Sequence, residues 1–467
     1  MPFSFSFFIS FYFFSHHPFL IPTMKNLLRS VVAPVLTGVA LLSVPASGYA
    51  QSEALSAGMN EMFRVAEGHN ASLQAVRTAI REAEAGIASA RTAKLPEITG
   101  SASVSYLGNA RLWNRHFDES TSAPMPHYGN NFLLHAEQVL YTGGAIRSQI
   151  ALAGQAAQQA VLTAEEQRQQ VRFGLVSMYL QLHCLHNQQE VYATNKALAA
   201  EQIRLMNKRH EQGVTLHNDV TRYELQLEQY GLNETTVADQ QLVVKHQLYT
   251  ALGTDSLRLR WLDKEAFDEK YLASSNEVDW QRQAAERHFG LKSAALAVDM
   301  SRTREQLVRS ERLPKLALLA EDHLDGPITI EVPPINKNLN YWFVGVGVSY
   351  NFSSLYKSKK RLREAQLATT FANDRRTEAM QRVDDAVHAA YVGLGTARTA
   401  LATCRKRVQL AAENYEIVAK RYQNGLAIMS DLTDAANVKL DAELSLENAR
   451  INLVQCYYAL KYAAHAL

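Results

Sequence analysis

Cysteine, proline and glycine are all scarce in this chain of 467 residues, and each scarcity argues against a class of fold. The three cysteines, Cys184, Cys404 and Cys456, are odd in number and far apart, which excludes a disulfide framework. Only 12 prolines and 22 glycines interrupt the chain. Long uninterrupted helices are therefore favoured over a loop-rich fold.

An excess of charge of one sign is also missing. Lysine and arginine together number 48 against 46 acidic residues, a formal net charge of +2. Such a balance gives no broad basic surface, so nucleic acid is not an expected partner. The chain also lacks an HExxH pattern, a phosphate-binding glycine loop and a GxSxG elbow. Neither an enzymatic activity nor a cofactor is expected.

The first 50 residues predict a signal region for secretion. Met24 begins a short basic stretch, an apolar stretch covers Val31–Val44, and small residues end at Ala50. This order predicts a signal peptide cleaved near Ala50, with Met24 as the true start. A permanent N-terminal membrane anchor is the alternative. Beyond Ala50 no apolar run reaches about 18 residues, which excludes a further transmembrane helix.

Two sequence motifs recur in the same order along the chain. KRHEQGV at 208–214 matches KRYQNGL at 420–426 with an offset of 212, and RTAKLP at 91–96 matches RSERLP at 309–314 with an offset of 218. Within the first motif Gly213 is equivalent to Gly425, and the same offset of 212 relates Asp219 to Asp431 beyond the motif. A period near 212 indicates a tandem duplication and not a solenoid of short units. The two glycines predict a local break in a helix.

The duplication predicts two structural repeats, 51–252 and 279–467, joined by a linker at 253–278. Each repeat is expected to contain one long helix, two strands and two further long helices. The helical parts, Gly144–Thr250 and Ser354–Leu467, are each predicted to form a hairpin with arms of about 45–60 residues. The hairpin turns are expected near His186–Asn195 and Thr403–Arg407.

Four segments alternate between apolar residues and polar or small residues, as strands with one wet face do, although the second alternates less regularly. They are Glu97–Tyr106, Asn131–Tyr141, Lys315–His323 and Tyr341–Phe352. Strands of this length, apolar on one side and polar on the other, suit a membrane β-barrel around water. Two hairpins of a soluble sheet are the alternative. Four strands are too few to close a useful barrel, so several protomers would have to contribute.

These features together identify a resemblance. Arg421–Gly425 with Ser430–Leu432, followed by a helix ending in tyrosines, resembles the C-terminal signature of the TolC-like outer-membrane efflux proteins. Tyr141–Gly144 resembles the strand-to-helix junction of the same family. The resemblance implies a mainly α fold with a membrane β-barrel, built as a homotrimer. Three chains would supply a 12-stranded barrel, four strands per protomer, and a trimeric α-helical tunnel beneath it.

The family resemblance also implies location and partners. Segment 253–278 would belong to an equatorial belt, and the loops Leu107–Asn130 and Leu324–Asn340 would face outside the cell. The protein would lie in the outer-membrane lipid with a long periplasmic portion. It would act as a passive duct for small molecules beside a periplasmic adaptor and an inner-membrane transporter. An exit duct for type I protein secretion and a periplasmic coiled-coil adaptor are the alternatives.

Acidic residues near the second expected turn are candidates for a periplasmic gate. Glu413 and Glu416 share a helical face, and Glu201 is the counterpart of Glu413 in the first repeat. In a trimer each glutamate would form a ring of three that attracts cations. Arg204, one turn from Glu201, would hold the closed state through an ion pair. The alternative is that all four are solvated surface charges.

Two further groups admit more than one interpretation. His183 and His186 share a helical face beside Cys184, near the first expected turn, but one short cluster rarely completes a metal site, and no metal is expected. Trp342 and Tyr350 lie near opposite ends of the last strand. They fit an aromatic girdle at a membrane interface, with the core of a soluble sheet as the alternative.

Overall fold

The computed structural model describes residues 52–255, 261, 276–331 and 334–467, with side chains from residue 58 onwards. The predicted signal region, its start at Met24 and its cleavage near Ala50 lie outside these described residues. So does most of the predicted linker 253–278. Every element given below belongs to one structural unit, Ala50–Leu467.

The stretch expected as one long helix before the strands is broken in two. It forms α1 (Ser52–His69) and α2 (Ala71–Thr92). Asn70 separates them because its backbone is extended, with ψ of 123°, and its side chain accepts a hydrogen bond from the Leu73 amide at 3.0 Å. This is an N-cap, which starts a new helix.

Each half of the chain supplies two strands to one antiparallel sheet of four strands. Its strands are β1 (Glu97–Tyr106), β4 (Tyr128–Tyr141), β5 (Lys315–Gly326) and β6 (Leu339–Ser349), in the order β1-β4-β5-β6. A separate hairpin of β2 (Ala110–Trp113) and β3 (Ser120–Ala123) lies within the segment expected as an outer loop. The sheet is open in the single chain, because β1 and β6 each have one neighbour.

The two faces of the sheet differ in chemistry, as the alternation predicts. Register pairs such as Ala102 with Phe132 and Leu318 with Val346 place apolar residues on one face. The exposed side chains of this apolar face include Ile98, Val104, Phe132, Leu134, Trp342, Val344, Val346 and Val348. The opposite, polar face carries serines of β1 and charged residues of β4 and β5.

The second half begins with another pair of helices. They are α5 (Glu277–Arg287) and α6 (Phe289–Ser310), separated at His288, whose backbone is extended with ψ of 115°. The order of elements around the sheet is therefore the same in both halves: two helices, then two sheet strands, then two long helices.

Four long helices make up most of the remainder. They are α3 (Ala145–Glu211, 67 residues), α4 (His217–Leu252, 36 residues), α7 (Ser354–Gln423, 70 residues) and α8 (Met429–Ala463, 35 residues). The predicted turns near His186–Asn195 and Thr403–Arg407 are wrong, since both segments lie inside continuous helices. The predicted arm length of about 45–60 residues is wrong as well, because α3 and α7 are longer than this range and α4 and α8 are shorter.

The reversals occur instead at the repeated glycine motif. Neither of the two expected turn segments contains glycine or proline, so nothing in them interrupts a helix. Gly213 and Gly425 have φ values of +73° and +74°, a conformation that glycine adopts without a steric cost. The glycines predicted as local breaks are thus the chain reversals themselves.

Three apolar clusters hold the helices together. One joins α1, α3, α4 and α8, a second joins α5, α7 and α8, and a third lies at the chain reversals. Helix α8 packs on both α3 and α7 and so links the two halves. Within the described ranges, none of the helices combines the length and the apolar character that a membrane crossing requires.

Candidate gate near the helical turns

Two turns with the same hydrogen bonds reverse the long helices. In the first, Gly213 N donates to His210 O at 2.8 Å and Val214 N donates to Arg209 O at 2.9 Å. This pair of bonds is a Schellman motif, which satisfies carbonyl groups at the end of α3. We call the two five-residue segments, 212–216 and 424–428, the helical turns.

The second helical turn repeats this geometry. Gly425 N donates to Tyr422 O at 3.0 Å and Leu426 N donates to Arg421 O at 2.8 Å. Asp431 lies in the first turn of α8, where its Oδ2 accepts a hydrogen bond from Ile428 N at 3.3 Å. Asp219 lies in the first turn of α4. Both carboxylates are favoured by the positive end of a helix dipole, so the repeated aspartates begin helices.

An apolar core lies beside the helical turns and joins all four long helices. Its buried residues are Ala199, Ile203, Met206, Val220, Tyr223, Tyr230, Tyr422, Met429, Leu432 and Leu440. Burial raises the pKa of Tyr223, and its hydrogen-bonded neighbour Tyr415 raises it further. The tyrosine therefore stays neutral and contributes packing and hydrogen bonds to the core.

The predicted gate glutamates lie on α7, before the second helical turn and not after a turn as expected. Glu413 and Glu416 are both exposed. Glu413 accepts a hydrogen bond from Gln409 Nε2 at 3.0 Å. Glu416 makes no hydrogen bond or ion pair with any residue that the structure describes. Both carboxylates are therefore available to solvent or to another chain.

Glu201 and Arg204 form the ion pair expected from their spacing. Arg204 Nε donates to Glu201 Oε2 at 2.8 Å, and this hydrogen bond lowers the pKa of Glu201. Both side chains are exposed and both belong to α3, so the pair does not join two helices of one protomer. Exposed pairs of this type contribute little to stability.

Polar links between α3 and α8 were not foreseen from the sequence. Asn195 Nδ2 donates to Glu443 Oε2 at 2.8 Å, and Asn187 Nδ2 donates to Glu447 Oε2 at 2.9 Å. Glu447 is only 5% exposed and also pairs with Arg450 at 2.7 Å. The i, i+4 spacing of the two glutamates on one face of α8 was the available signal. These links fix the helices of the two halves against each other.

The His183–Cys184–His186 group lies inside α3 and not near a turn. His183 is fully buried, with its ring edge-on to Tyr179 at 4.7 Å between centroids. His186 stacks on Trp261 at 4.1 Å. Burial raises the pKa of Cys184 to about 11, so its thiol is neutral. Among the described residues no group of three or more histidine, cysteine or acidic side chains has a geometry suited to a metal ion.

Known proteins resemble this chain both in sequence and in fold. A sequence model of a family described as outer membrane efflux protein matches residues 63–254 and 280–464. The chain belongs to the outer membrane efflux protein family. This confirms the TolC-like resemblance, and it excludes an enzyme, because the family consists of outer-membrane channels. The sequence has no significant match among curated proteins.

Solved channel structures share the fold of this family member. The outer-membrane channel OprN is 16% identical, with a TM-score of 0.73 over 90% of this chain and 95% of that one. VceC of Vibrio cholerae is 14% identical, with a TM-score of 0.70 over 87% and 96%. The Campylobacter jejuni channel CmeC is 15% identical, with a TM-score of 0.71 over 92% and 90%. At such identities the likeness establishes the fold.

Proposed function

We propose that this protein is the outer-membrane duct of a tripartite efflux system, a passive conduit for small molecules from periplasm to exterior. Three copies would form the duct, a periplasmic adaptor would contact its helical turns, and an inner-membrane transporter would supply the energy. The open, two-faced sheet is the observation that carries this proposal.

The sheet supports a membrane location for two reasons. Its apolar face is exposed in the single chain, with Val104 at 76% and Val348 at 71%, which would be costly in water and favourable in lipid. Strands β1 and β6 also leave one edge unpaired, and backbone groups in a bilayer need partners. Pairing β1 of one copy with β6 of the next would close a barrel of 12 strands in a trimer. Trp342, 73% exposed, and Tyr350 would then lie at the lipid interfaces.

The long helices support a conduit that reaches well beyond the barrel. At 1.5 Å per residue, α3 and α7 each extend about 100 Å. Exposed apolar residues on α7, such as Leu367 and Phe371, remain for contact with another copy. We propose that the halves 51–252 and 279–467 are structural repeats joined by an equatorial segment at 253–278. The two separate segments matched by the family support this division.

The gate proposal rests on position and exposure. Glu413 and Glu416 lie roughly 15 and 11 Å along α7 from its end at the helical turn, and Glu201 lies about 15 Å from the end of α3. In a trimer the three exposed carboxylates of each position would form an acidic constriction. The Glu201–Arg204 pair would be exchanged for other contacts when an adaptor opens the helical turns.

Accumulation of a fluorescent efflux-reporter dye tests the duct. A deletion strain is compared with its parent and with a complemented strain. Higher retention in the deletion, reversed by complementation, supports small-molecule efflux. Unchanged dye retention with loss of a secreted protein would assign the duct to type I secretion instead. Recovery of the protein from the soluble periplasm, and not from outer-membrane fractions, would contradict both and favour an adaptor.

Variants Glu413→Gln and Glu416→Gln test the gate within that assay. Each variant removes one carboxylate per chain, and therefore one ring of three from the proposed constriction. This weakens the attraction of the constriction for cations, so the leak of a cationic dye through the duct should change. Asp441→Asn is a matched control, because Asp441 is an exposed acid on α8 whose charge pairs with Arg407 at 3.0 Å. Equal leak in all three strains would overturn the gate and leave the duct proposal standing.

A further inference from the structure

A dense group of positive charges begins helix α7, shortly after the last strand of the sheet. The whole chain has a formal net charge of only +2, yet residues 354–364 contain five basic residues and one acidic residue. The basic residues are Lys357, Lys359, Lys360, Arg361 and Arg363. All five side chains are exposed. We call these five residues the basic segment.

Most of the positive charges in the basic segment have no partner within the chain. Arg361 Nη1 donates a hydrogen bond to Glu311 Oε2 at 2.8 Å, which links the start of α7 to the end of α6. The other four side chains make no hydrogen bond or ion pair with any residue that the structure describes. These four charges are therefore available to a partner outside the chain.

The stability of α7 does not account for the basic segment. Positive charges in the first turns of a helix are disfavoured by the positive end of its dipole. Lys357 lies in the first turn of α7, and no acidic residue offsets it there. Helix α3 also begins after a sheet strand, but its residues 145–155 carry only one charge, on Arg147. A long helix can therefore leave this sheet without such a cluster of cations.

Large apolar side chains accompany the basic segment on the side of the sheet. Phe352, Leu355 and Tyr356 are exposed by 74%, 55% and 68%. The Phe352 ring meets the Tyr350 ring edge to face, with 5.0 Å between centroids. Exposed aromatic rings between an apolar sheet face and a group of cations suit the boundary between lipid hydrocarbon and headgroups, because this boundary accommodates an apolar ring beside polar groups.

The charges and the aromatic residues occupy a common surface of the helix. Tyr356, Lys360 and Arg363 share one helical face, since Lys360 follows Tyr356 by four residues and Arg363 follows it by seven. A membrane surface presents many phosphate groups side by side, and anionic phospholipids give it a net negative charge. Lysine ammonium groups on flexible stems bind such phosphates without a fixed geometry. Charge complementarity therefore favours an anionic lipid surface as the partner.

We infer that the basic segment binds the headgroups of anionic phospholipids in the leaflet that faces the periplasm. The inference rests on the proposed function, because that function places the sheet in the outer membrane with the start of α7 on the periplasmic side. Phe352, Leu355 and Tyr356 then lie at the boundary of the hydrocarbon, and the cations of the basic segment lie among the phosphates. This contact fixes the height of the duct in the membrane.

The test measures which phospholipid stays bound to the trimer. The purified protein is reconstituted in vesicles of equal phosphatidylglycerol and phosphatidylcholine with the same acyl chains. It is then recovered in mild detergent, and the retained lipid is quantified by mass spectrometry. Since each lysine near an anionic surface favours binding by a factor of about five, phosphatidylglycerol should exceed phosphatidylcholine by about fivefold or more. Higher salt should lower this ratio.

Replacement of three lysines distinguishes the basic segment from the rest of the chain. In the triple variant Lys357→Gln, Lys359→Gln, Lys360→Gln the lipid ratio should fall close to one. Arginine at the same three positions should keep the preference, because the charge is kept. The matched control replaces three exposed lysines in the parts of α3 and α7 that end at the helical turns, Lys208, Lys406 and Lys420, by glutamine. This control should keep the ratio of the natural protein.

The outcomes separate this inference from the proposed function. Equal retention of both lipids by the natural trimer, or an unchanged preference in the glutamine triple variant, would overturn the inference and leave the duct standing. A glutamine triple variant that no longer forms trimers would place the basic segment between copies and would also overturn the inference. Failure of the natural protein to enter vesicles at all would overturn the proposed function.

Discussion

The sheet and the helical turns lie at opposite ends of the long helices in sequence. Apolar residues are buried at the helical turns and exposed in the sheet. At the turns, Leu432 and Met206 are fully buried inside a core made by the chain itself. In the sheet, Val344 and Val348 point away from the chain at 61% and 71% exposure. One region is complete within a protomer, and the other depends on surroundings outside it.

The two regions gain their stability at different stages of folding and assembly. The turn core gains its hydrophobic free energy when one chain folds, because water is excluded by neighbouring helices. The sheet gains it only when lipid or other copies cover the apolar face and the open edges. Variants of the two regions should therefore fail at different stages, in folding for the turns and in membrane assembly for the sheet.

The largest expected effect is Leu432→Ala at the turn core. Removing a fully buried leucine side chain leaves a cavity and should destabilise the fold by about 2–5 kcal/mol. Leu426→Ala at the same turn removes a side chain that is 68% exposed and should change stability by less than about 0.5 kcal/mol. Denaturant unfolding of the two purified variants checks this. Equal losses would show that the turn core is not complete within the protomer.

The next effect is Ala102→Arg in the middle of β1. Its side chain lies on the apolar face opposite Phe132, so a charge there should cost about 2–4 kcal/mol per chain in lipid. Ser101→Arg places the same charge on the polar face, opposite Leu133, and should be tolerated. The fraction of each variant recovered in outer-membrane trimers is the measurement. Tolerance of both charges would contradict a lipid-facing surface.

A smaller effect is expected for Gly425→Ala at the second helical turn. An added Cβ would meet no atom within 4 Å, so the cost comes from the φ of +74° alone, roughly 1 kcal/mol. Gly425→Asn should lose less, because asparagine tolerates this conformation better. Thermal unfolding of the two variants distinguishes them. A larger loss for asparagine would place the cost in packing and not in the backbone.

The smallest effect is expected when the pH is lowered. It arises at two histidines in a region between the sheet and the helical turns. The ring of His465 lies 3.7 Å from that of His288, and its Nδ1 accepts a hydrogen bond from Phe289 N at 3.4 Å. Burial, then the neighbouring His288 and Lys292, lower the pKa of His465 from 6.5 to about 4. The unfolded chain therefore binds a proton that the folded chain does not bind between these values. Stability should fall as the pH falls from about 6.5 to about 4, by an amount of the order of 1 kcal/mol.

The matched variant for this last prediction is His465→Asn. Asparagine suits the φ of +51° at this position and offers an oxygen to the Phe289 amide, but it does not titrate. Its unfolding free energy should depend less on pH than that of the natural protein in the same window. Identical pH profiles would assign acid sensitivity to other groups.

Much of the sheet was predictable because its signal is local. Alternation with a period of two fixes which side chains share a face, and β1 begins and ends where the pattern predicts. The turns were not predictable in position, because helical periodicity continues through His186–Asn195 without a contradiction. The repeated glycines carried the signal, but a glycine motif fits both a local break and a full reversal.

Near the gate residues, contacts within one helix could be predicted from the sequence, whereas contacts between helices could not. The spacing of Glu201 and Arg204 predicts an ion pair, and that pair forms because both residues lie one turn apart on α3. Asn187 and Glu447 are 260 residues apart in sequence, and the link between them depends on the register of α3 against α8. No local pattern determines that register, so these links became visible only in the folded chain.

The sequence by itself determined the duplication, the family and the polar and apolar faces of the sheet, because each follows from residues that are close together or repeated. The tertiary structure alone decided where the long helices reverse, which buried polar groups pair across them, and that His135 and His323 share the carboxylate of Glu321. The physical reason is that these features depend on packing between distant segments, whose register is set by burial of side chains over the whole length of the helices and strands.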